Sequence, residues 1–330
     1  MANSCRAHAR NAQLSESIAQ LVTVVVPVFR DALRAIEAVH KICAQRLSPD
    51  LQCQVVVVDD GSDDGTFERL QSLEVPGVEV LSLSRNAGRS GARNAGAQAA
   101  KGDVVVFMDC DCLPLEAGWL NTHYSAYRNL GVVAATGDVI GCDEGFWHRY
   151  QAEASNRRKK QHAEGQVFSG SSQNLSVRKS ALVEVGGFDT GYTQYGFEDR
   201  DLLMRLSTKG SIVWLKDATV THRDVLDMVG VVRKLRLSAG ASAERFSRLH
   251  PSAYRKLGYA ALDSRIHPAW RLIRNPLRHM VPYVANLLEG AISRNLLPFS
   301  VLRLFVKLVS GLAFVTGTFE AAPGQDGADA

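Results

Sequence analysis

Cysteine is scarce in this chain. Cys5, Cys43, Cys53, Cys110, Cys112 and Cys142 are too few and too scattered in 330 residues to staple a small fold, so a disulfide scaffold is excluded and a reduced, cytoplasmic interior is expected. Neither sign of charge dominates, with 38 Lys and Arg against 34 Asp and Glu. An apolar fraction of 46% and a charged fraction of 22% exclude collagen-like, disordered and coiled-coil chains. No internal repeat is visible. Residues 1–20 hold no apolar run between a basic start and a small-residue cleavage site, so they read as a flexible leader and no secretory signal is expected. There is no dinucleotide fingerprint and no phosphate-binding P-loop.

What charge there is lies unevenly. From Arg223 onward there are 15 Lys and Arg against 8 Asp and Glu, leaving 23 against 26 for residues 1–222. A mildly acidic front with a basic tail predicts a chemical domain followed by a region that meets an anionic surface.

The front half alternates short β-branched runs with amphipathic stretches. Strands are predicted over 22–28, 54–58, 78–83 and 104–108, with helices over 31–46, 67–73 and 92–100 between them. Continuous apolar strands separated by helices predict a parallel sheet covered on both faces, with the strands' carboxyl ends on one rim, where ligands collect in open α/β sheets. Further on, strands are expected over 132–140, 167–177, 211–215 and 219–221, and helices over 146–162 and 198–206. A boundary is placed near His222, followed by a mostly helical region over 223–320 and a disordered tail over 321–330.

Three acidic clusters and one histidine could carry chemistry. Asp109-Cys-Asp111 leaves a strand end, where a turn can aim two hard oxygen ligands at one Mg2+ or Mn2+; a solvated turn with two charges is the plain alternative. Cys110 and Cys112 lack the partners of a tetrahedral zinc site. Asp59-Asp-Gly-Ser62 follows the second strand, where a carboxylate can accept an N–H from a nucleobase or simply cap a helix. Gly88-Arg-Ser-Gly-Ala-Arg93-Asn-Ala-Gly96 opens a helix and suits a pyrophosphate. Glu198-Asp199 supplies either a general base or a pair of carboxylates that gain from a helix dipole. His222 ends a strand, and a neutral imidazole there can complete a metal shell or merely pack.

The ordered series Pro27-Val-Phe29, Val58-Asp-Asp-Gly-Ser62, Asn86-x-Gly88 with Ala92-Arg-Asn-x-Gly96, Asp109-x-Asp111, Gly186-Gly-Phe-Asp189 and Phe197-Glu-Asp199 resembles glycosyltransferase family 2 over residues 21–222. The resemblance implies a GT-A fold: an α/β, Rossmann-like, mostly parallel sheet with helices on both faces. It also implies inverting transfer of a sugar from a nucleoside-diphosphate sugar, UDP by family habit, to a hydroxyl of a glycan or lipid-linked acceptor in surface glycan or polysaccharide synthesis. Pro27 and Phe29 would flank the base, Asp60 would accept its imide N–H, and Arg93 would lie along the nucleotide. Asp109 and Asp111 would straddle the ribose and a Mn2+ or Mg2+ ion, His222 would add a metal ligand, and Asp199 with Glu198 beside it would be the base. Arg30 stands where the family usually has Asn or Glu. No Gln-x-x-Arg-Trp follows Asp199, which argues against a processive polymer synthase. A non-catalytic nucleotide-sugar binder is the alternative, and no nucleic-acid partner is expected.

In the tail, Arg303 and Lys307 interrupt an apolar stretch and leave only 308–319 free of charge, short of the roughly 20 apolar residues a span needs. Residues 296–320 are expected either to lie on an anionic membrane surface, putting the protein at the inner face of the cell membrane, or to pack on the domain with both cations turned outward.

Overall fold

The computed structural model describes residues 20–142 and 144–319; the expected leader over 1–20 lies outside these except for Gln20, which opens the first strand, and Cys5 and the expected tail over 321–330 lie outside them too. The front half runs β1 (Gln20–Val28), α1 (Ala32–Cys43), β2 (Leu51–Asp59), α2 (Thr66–Gln71), β3 (Val78–Ser82), α3 (Gly88–Ala99), β4 (Val104–Phe107), β5 (Cys112–Pro114) and α4 (Trp119–Ser125). Then follow β6 (Val132–Gly141), α5 (Phe146–Ala163), β7 (Leu175–Arg178), α6 (Lys179–Glu184), α7 (Glu198–Leu206) and β8 (Ser211–His222). The helical remainder is α8 (Met228–Leu237), α9 (Ala243–Leu249), α10 (Pro251–Lys256), α11 (Arg274–Ser293) and α12 (Phe299–Gly317), joined by short irregular turns.

The eight strands form one sheet in the order β3-β2-β1-β4-β7-β6-β8-β5. The first four are parallel, and β6 pairs β8 in parallel, while the β4–β7, β7–β6 and β8–β5 pairs are antiparallel. The two-residue period of a strand explains why the parallel half reads as unbroken apolar runs. Val22, Val24, Val26 and Val28 of β1 face one layer with Ala35, Ala38, Val39 and Ile42 of α1, and Val25 faces the other with Ala92 and Ala97 of α3. α3 comes very close to the sheet: a Cβ on Gly96 would lie 2.3 Å from a Val25 methyl.

Two expectations are corrected. Residues 167–174 are two short 3-10 turns rather than strand, and only Leu175–Arg178 joins the sheet. The serines there hold their own backbone: Ser169 Oγ donates to the Gln166 carbonyl and Ser171 Oγ accepts from the Gln173 N–H, which competes with a strand ladder. The pieces expected over 211–215 and 219–221 are one strand, since β8 continues past an irregularity where the partner register passes from Leu215 to Thr219.

The helical region is fastened to the sheet domain. α8, α11 and α12 share a core with Trp147 of α5, and α9 and α10 enclose Phe197 with Phe246 and Tyr254. Buried Asp201 of α7 is bonded by His250 at 2.8 Å, and Asp189 by Arg245 at 2.7 Å. By length and composition α12 is apolar enough to cross a membrane, more than its charge-free stretch predicts. Here its Leu302, Val306 and Val309 lie in the shared core, and Arg303 reaches Glu153 of α5 at 2.5 Å.

Candidate active site

β5 is only three residues long, yet it sets the site. Its antiparallel pairing with the end of β8 puts Cys112 opposite His222, which brings Asp111 to the imidazole: Oδ2 lies 3.2 Å from Nε2. Asp224, two residues beyond His222, completes a group in which one ligand atom from each of Asp111, His222 and Asp224 lies within 4.8 Å of the others. Burial works to raise the Asp111 pKa, but the hydrogen bond and charge of His222 outweigh it, so the carboxyl titrates below its ordinary value. Gln151 of α5 holds the other imidazole nitrogen at 3.3 Å, and its amide can present donor or acceptor to Nδ1. Two carboxylates and an imidazole form a donor set suited to Mn2+ or Mg2+. Burial drives the Cys112 thiol pKa far up, which leaves it a poor thiolate ligand.

Asp109 turns elsewhere. Its Oδ1 accepts from Arg93 Nη2 at 2.7 Å, and Arg93 also lies 3.8 Å from Glu198 and 3.9 Å from Asp199. This arginine is 1% exposed. Burial alone would lower its pKa, but Asp109, Asp199 and Glu198 outweigh that and raise it, so the guanidinium stays charged. Beneath it sits the Phe188 ring at 5.3 Å, clasped by Asn94, which exchanges hydrogen bonds with the Phe188 backbone N–H and carbonyl at 2.8 Å each. The Arg93-Asn94 pair and the Gly186-Gly-Phe-Asp189 segment are therefore one assembly.

Glu198 and Asp199 are aimed by a strained turn. Gly196 and Phe197 both have left-handed φ, +89° and +72°. The Phe197 conformation, unusual for a bulky residue, is held by the rings of Phe246 at 5.0 Å and Tyr259 at 5.2 Å. Burial and the neighbouring Asp199 push the Glu198 pKa up to about 7, against the pull of Arg93. Glu198 is buried, whereas Asp199 is partly open and accepts from Ser171 Oγ at 3.4 Å. Of the two carboxylates, Asp199 is the more accessible from the cavity.

Arg93, Asp109, Asp111, Glu198, Asp199 and His222 all line one cavity of about 490 Å3. Pro27, Phe29 and Asp60 do not line it. They sit at the adjoining ends of β1 and β2, where the buried Asp60 accepts from the Ala87 N–H at 2.7 Å and Phe29 is largely exposed. Arg30 ties those two loops together, pairing with Asp63 at 2.8 Å while its backbone N–H donates to Ser62 Oγ at 2.9 Å. Gly61 has φ +71°, and a Cβ there would lie 2.5 Å from the Arg85 backbone, so the loop after β2 needs glycine. The sequence reading missed Asp224 and Gln151. His222-x-Asp224 repeats the spacing of Asp109-x-Asp111 at another strand exit, and that was the available signal. Nothing local marks Gln151.

Comparison with known proteins agrees with this architecture. The profile described as "Glycosyl transferase family 2" matches residues 23–186, and one described as "N-terminal domain of galactosyltransferase" matches 153–222. The chain is 27% identical over 208 residues to glycosyltransferase AglE of Haloferax volcanii, covering 60% of this chain and 61% of the relative. It is 26% identical over 216 residues to the glucosyl-dolichyl phosphate glucuronosyltransferase of the same organism, covering 57% and 63%. It thus spans less than two thirds of the length of these relatives. Among solved structures it is similar to a mannosyltransferase from Pyrobaculum calidifontis in complex with GDP-Man and Mn2+, with TM-score 0.59 and 18% identity over 89% of this chain and 86% of that one.

Proposed function

The chain belongs to glycosyl transferase family 2, and from that premise we propose that it is an inverting transferase moving a sugar from a nucleoside-diphosphate sugar, UDP first among candidates, to a hydroxyl of a glycan or lipid-linked acceptor. The observation that carries this reading is the single cavity shared by Asp111, His222 and Asp199. Asp111, His222 and Asp224 would hold a divalent cation, which supplies charge neutralisation to the departing diphosphate. Asp109, its one oxygen taken by Arg93, keeps the other for the donor. Asp199 takes the proton from the attacking hydroxyl. Arg93 spans the 109 and 199 carboxylates and so fixes the distance between donor and base. Attack from the side of the base, opposite the leaving group, inverts the anomeric carbon.

Thermal shift with a panel of UDP-, GDP- and dTDP-sugars, with and without Mn2+, tests donor binding, because a ligand that binds the native state raises the apparent melting temperature. Product NMR tests inversion. Saturable binding without acceptor-dependent release of the nucleoside diphosphate would favour a non-catalytic binder, and no Mn2+-dependent stabilisation by any donor would remove the reading.

On this reading the acceptor lies at the inner face of the cell membrane, and exposed apolar and basic side chains support it. Met280, Tyr283 and Leu287, spaced three and four apart on α11, and Leu304 and Leu308 on α12 are exposed large apolar side chains. Arg271, Arg274, Arg278, Arg294 and Lys307, also exposed, lie around them in the sequence. An apolar face with cations nearby is complementary to an anionic bilayer. Deleting 296–320 would strip Leu302, Val306 and Val309 from a core, so substitution is the cleaner test. In flotation, wild type is expected with phosphatidylglycerol vesicles and not phosphatidylcholine ones, and the Leu304→Asp/Leu308→Asp variant with neither. Equal flotation of variant and wild type would overturn the assignment.

A further inference from the structure

The cavity holds more positive charge than its acids use. Arg89, Arg158, Arg200 and Lys234 line it together with Arg93. Arg93 is spoken for by Asp109, Glu198 and Asp199, and Lys234 pairs with Asp224 at 2.9 Å. Arg89 lies over the Tyr195 ring at 4.7 Å. Among the described residues, no carboxylate pairs with Arg158 or Arg200; Arg200 donates one Nη1 bond, at 3.2 Å, to the Phe168 carbonyl. Ser172 lines the same wall, is 1% exposed, and its hydroxyl has no hydrogen-bond partner. A buried unsatisfied hydroxyl lining the same cavity as two guanidinium groups that no carboxylate among the described residues pairs is a costly arrangement without a ligand.

We propose that Arg158, Arg200 and the Ser172 hydroxyl form an anion subsite for a phosphate group carried by the acceptor. This inference rests on the glycosyltransferase reading and names the acceptor's chemistry. Planar guanidinium forks suit phosphate oxygens, and the serine supplies one more donor. The Arg158 pKa is lowered to about 10 by burial and by the like charges of Arg200 and Arg157, crowding that a bound anion relieves.

Position assigns the anion to the acceptor rather than to the donor diphosphate. Gln151, which holds His222, and Arg158 are seven residues apart on α5, roughly 10 Å along the helix axis and about two turns. Contacts run from Asp109 through Arg93 to Asp199, and from Asp199 through Ser171 to the serine turn. The base thus stands between Asp109, which keeps an oxygen for the donor, and the 167–174 turns, where Ser172 sits and the Phe168 carbonyl holds Arg200, which is the acceptor's side. The phosphate could belong to a lipid carrier, as the ester that joins it to the acceptor sugar, or to a soluble phosphorylated sugar; both present anionic phosphate oxygens, and farnesyl phosphate and inorganic phosphate stand in for them.

Calorimetric titration of the full chain in EDTA distinguishes these sources, with inorganic phosphate, farnesyl phosphate and farnesol as probes. Inorganic phosphate and farnesyl phosphate are expected to bind, and farnesol much more weakly than its phosphate. Arg158→Gln should weaken phosphate binding by about tenfold or more, the loss of one charge-assisted contact, with Arg158→Lys retaining part of it. Arg200→Gln and Ser172→Ala serve as independent variants if Arg158→Gln does not fold. Farnesyl phosphate binding far tighter than inorganic phosphate identifies a lipid source, and equal binding a soluble one. In parallel, the affinity for UDP with Mn2+ should fall much less in Arg158→Gln than phosphate affinity does. Unchanged phosphate affinity in all three variants would overturn the proposal. So would an equal loss of UDP and phosphate affinity, which would return these cations to the donor. A wild type that never binds nucleoside diphosphate with Mn2+ would instead remove the glycosyltransferase reading, whatever phosphate does.

Discussion

Replacing Arg93 with methionine keeps most of the side-chain volume and removes the only charge that Asp109, Glu198 and Asp199 share at ion-pair distance among the described residues. Taking one partner from a buried ion pair leaves an uncompensated charge and costs about 3–5 kcal/mol. Here three carboxylates are left facing one another, but Glu198, already pushed up to about 7, can take a proton and absorb part of that cost. The expected loss is therefore pH-dependent. In the variant the folded state raises carboxylate pKa values above their unfolded ones and binds more protons than the unfolded chain, so the stability deficit grows as pH rises. The slope approaches about 1.4 kcal/mol per pH unit for each extra proton held. Urea denaturation at pH 5.5 and pH 8 measures this directly. We expect the Arg93→Met deficit to reach about 3–5 kcal/mol at pH 8, to shrink at pH 5.5, and to be partly restored at pH 8 by adding Glu198→Gln. A deficit below about 1 kcal/mol at pH 8, or one independent of pH, would refute the view that Arg93 neutralises the centre of the site.

Two further outcomes follow from the same geometry. His222→Ala and Asp224→Asn should each weaken Mn2+ binding by about tenfold or more, as removal of a ligand or its close support does, and calorimetric titration checks it. His123 is fully buried between Ser176 Oγ and Asn174 Oδ1, each at 2.9 Å, and burial lowers its pKa from 6.5 to about 4. The unfolded chain protonates this histidine first as pH falls, so its contribution is present above pH 6.5 and is lost between there and about pH 4. That loss, on the order of 3 kcal/mol for the whole shift, should be absent in His123→Gln measured by the same denaturation series.

Much of the sheet was legible because β1, β2 and β4 are buried on both faces, and two-sided burial writes itself as unbroken valine runs. The α7 bounds were legible as well, since Glu198 and Asp199 open the helix and the apolar positions follow at helical spacing. What escaped was whatever depended on distant pairing. β5 is too short to show any period, yet its register against β8 brings Asp111 to His222. The serines of 167–174 looked like strand because their competing hydrogen bonds to their own backbone are invisible to hydrophobic pattern. Asp109 and Asp111 read as one cluster, whereas the turn between β4 and β5 sends Asp109 to Arg93 and Asp111 to His222 and Asp224. Residue types therefore pointed to the chemistry, and tertiary pairing decided which carboxylate holds what.

The central claim is that Asp199 does chemistry while the ligands around Asp111 hold the donor. Asp199→Asn, assayed for turnover and for UDP binding with Mn2+ on one preparation, tests it most directly. The account predicts donor affinity close to wild type together with a loss of about 10²-fold to 10⁴-fold in kcat, the range removed with a general base. Turnover near the wild-type rate, or a collapse of donor binding that matches the loss of rate, would contradict it.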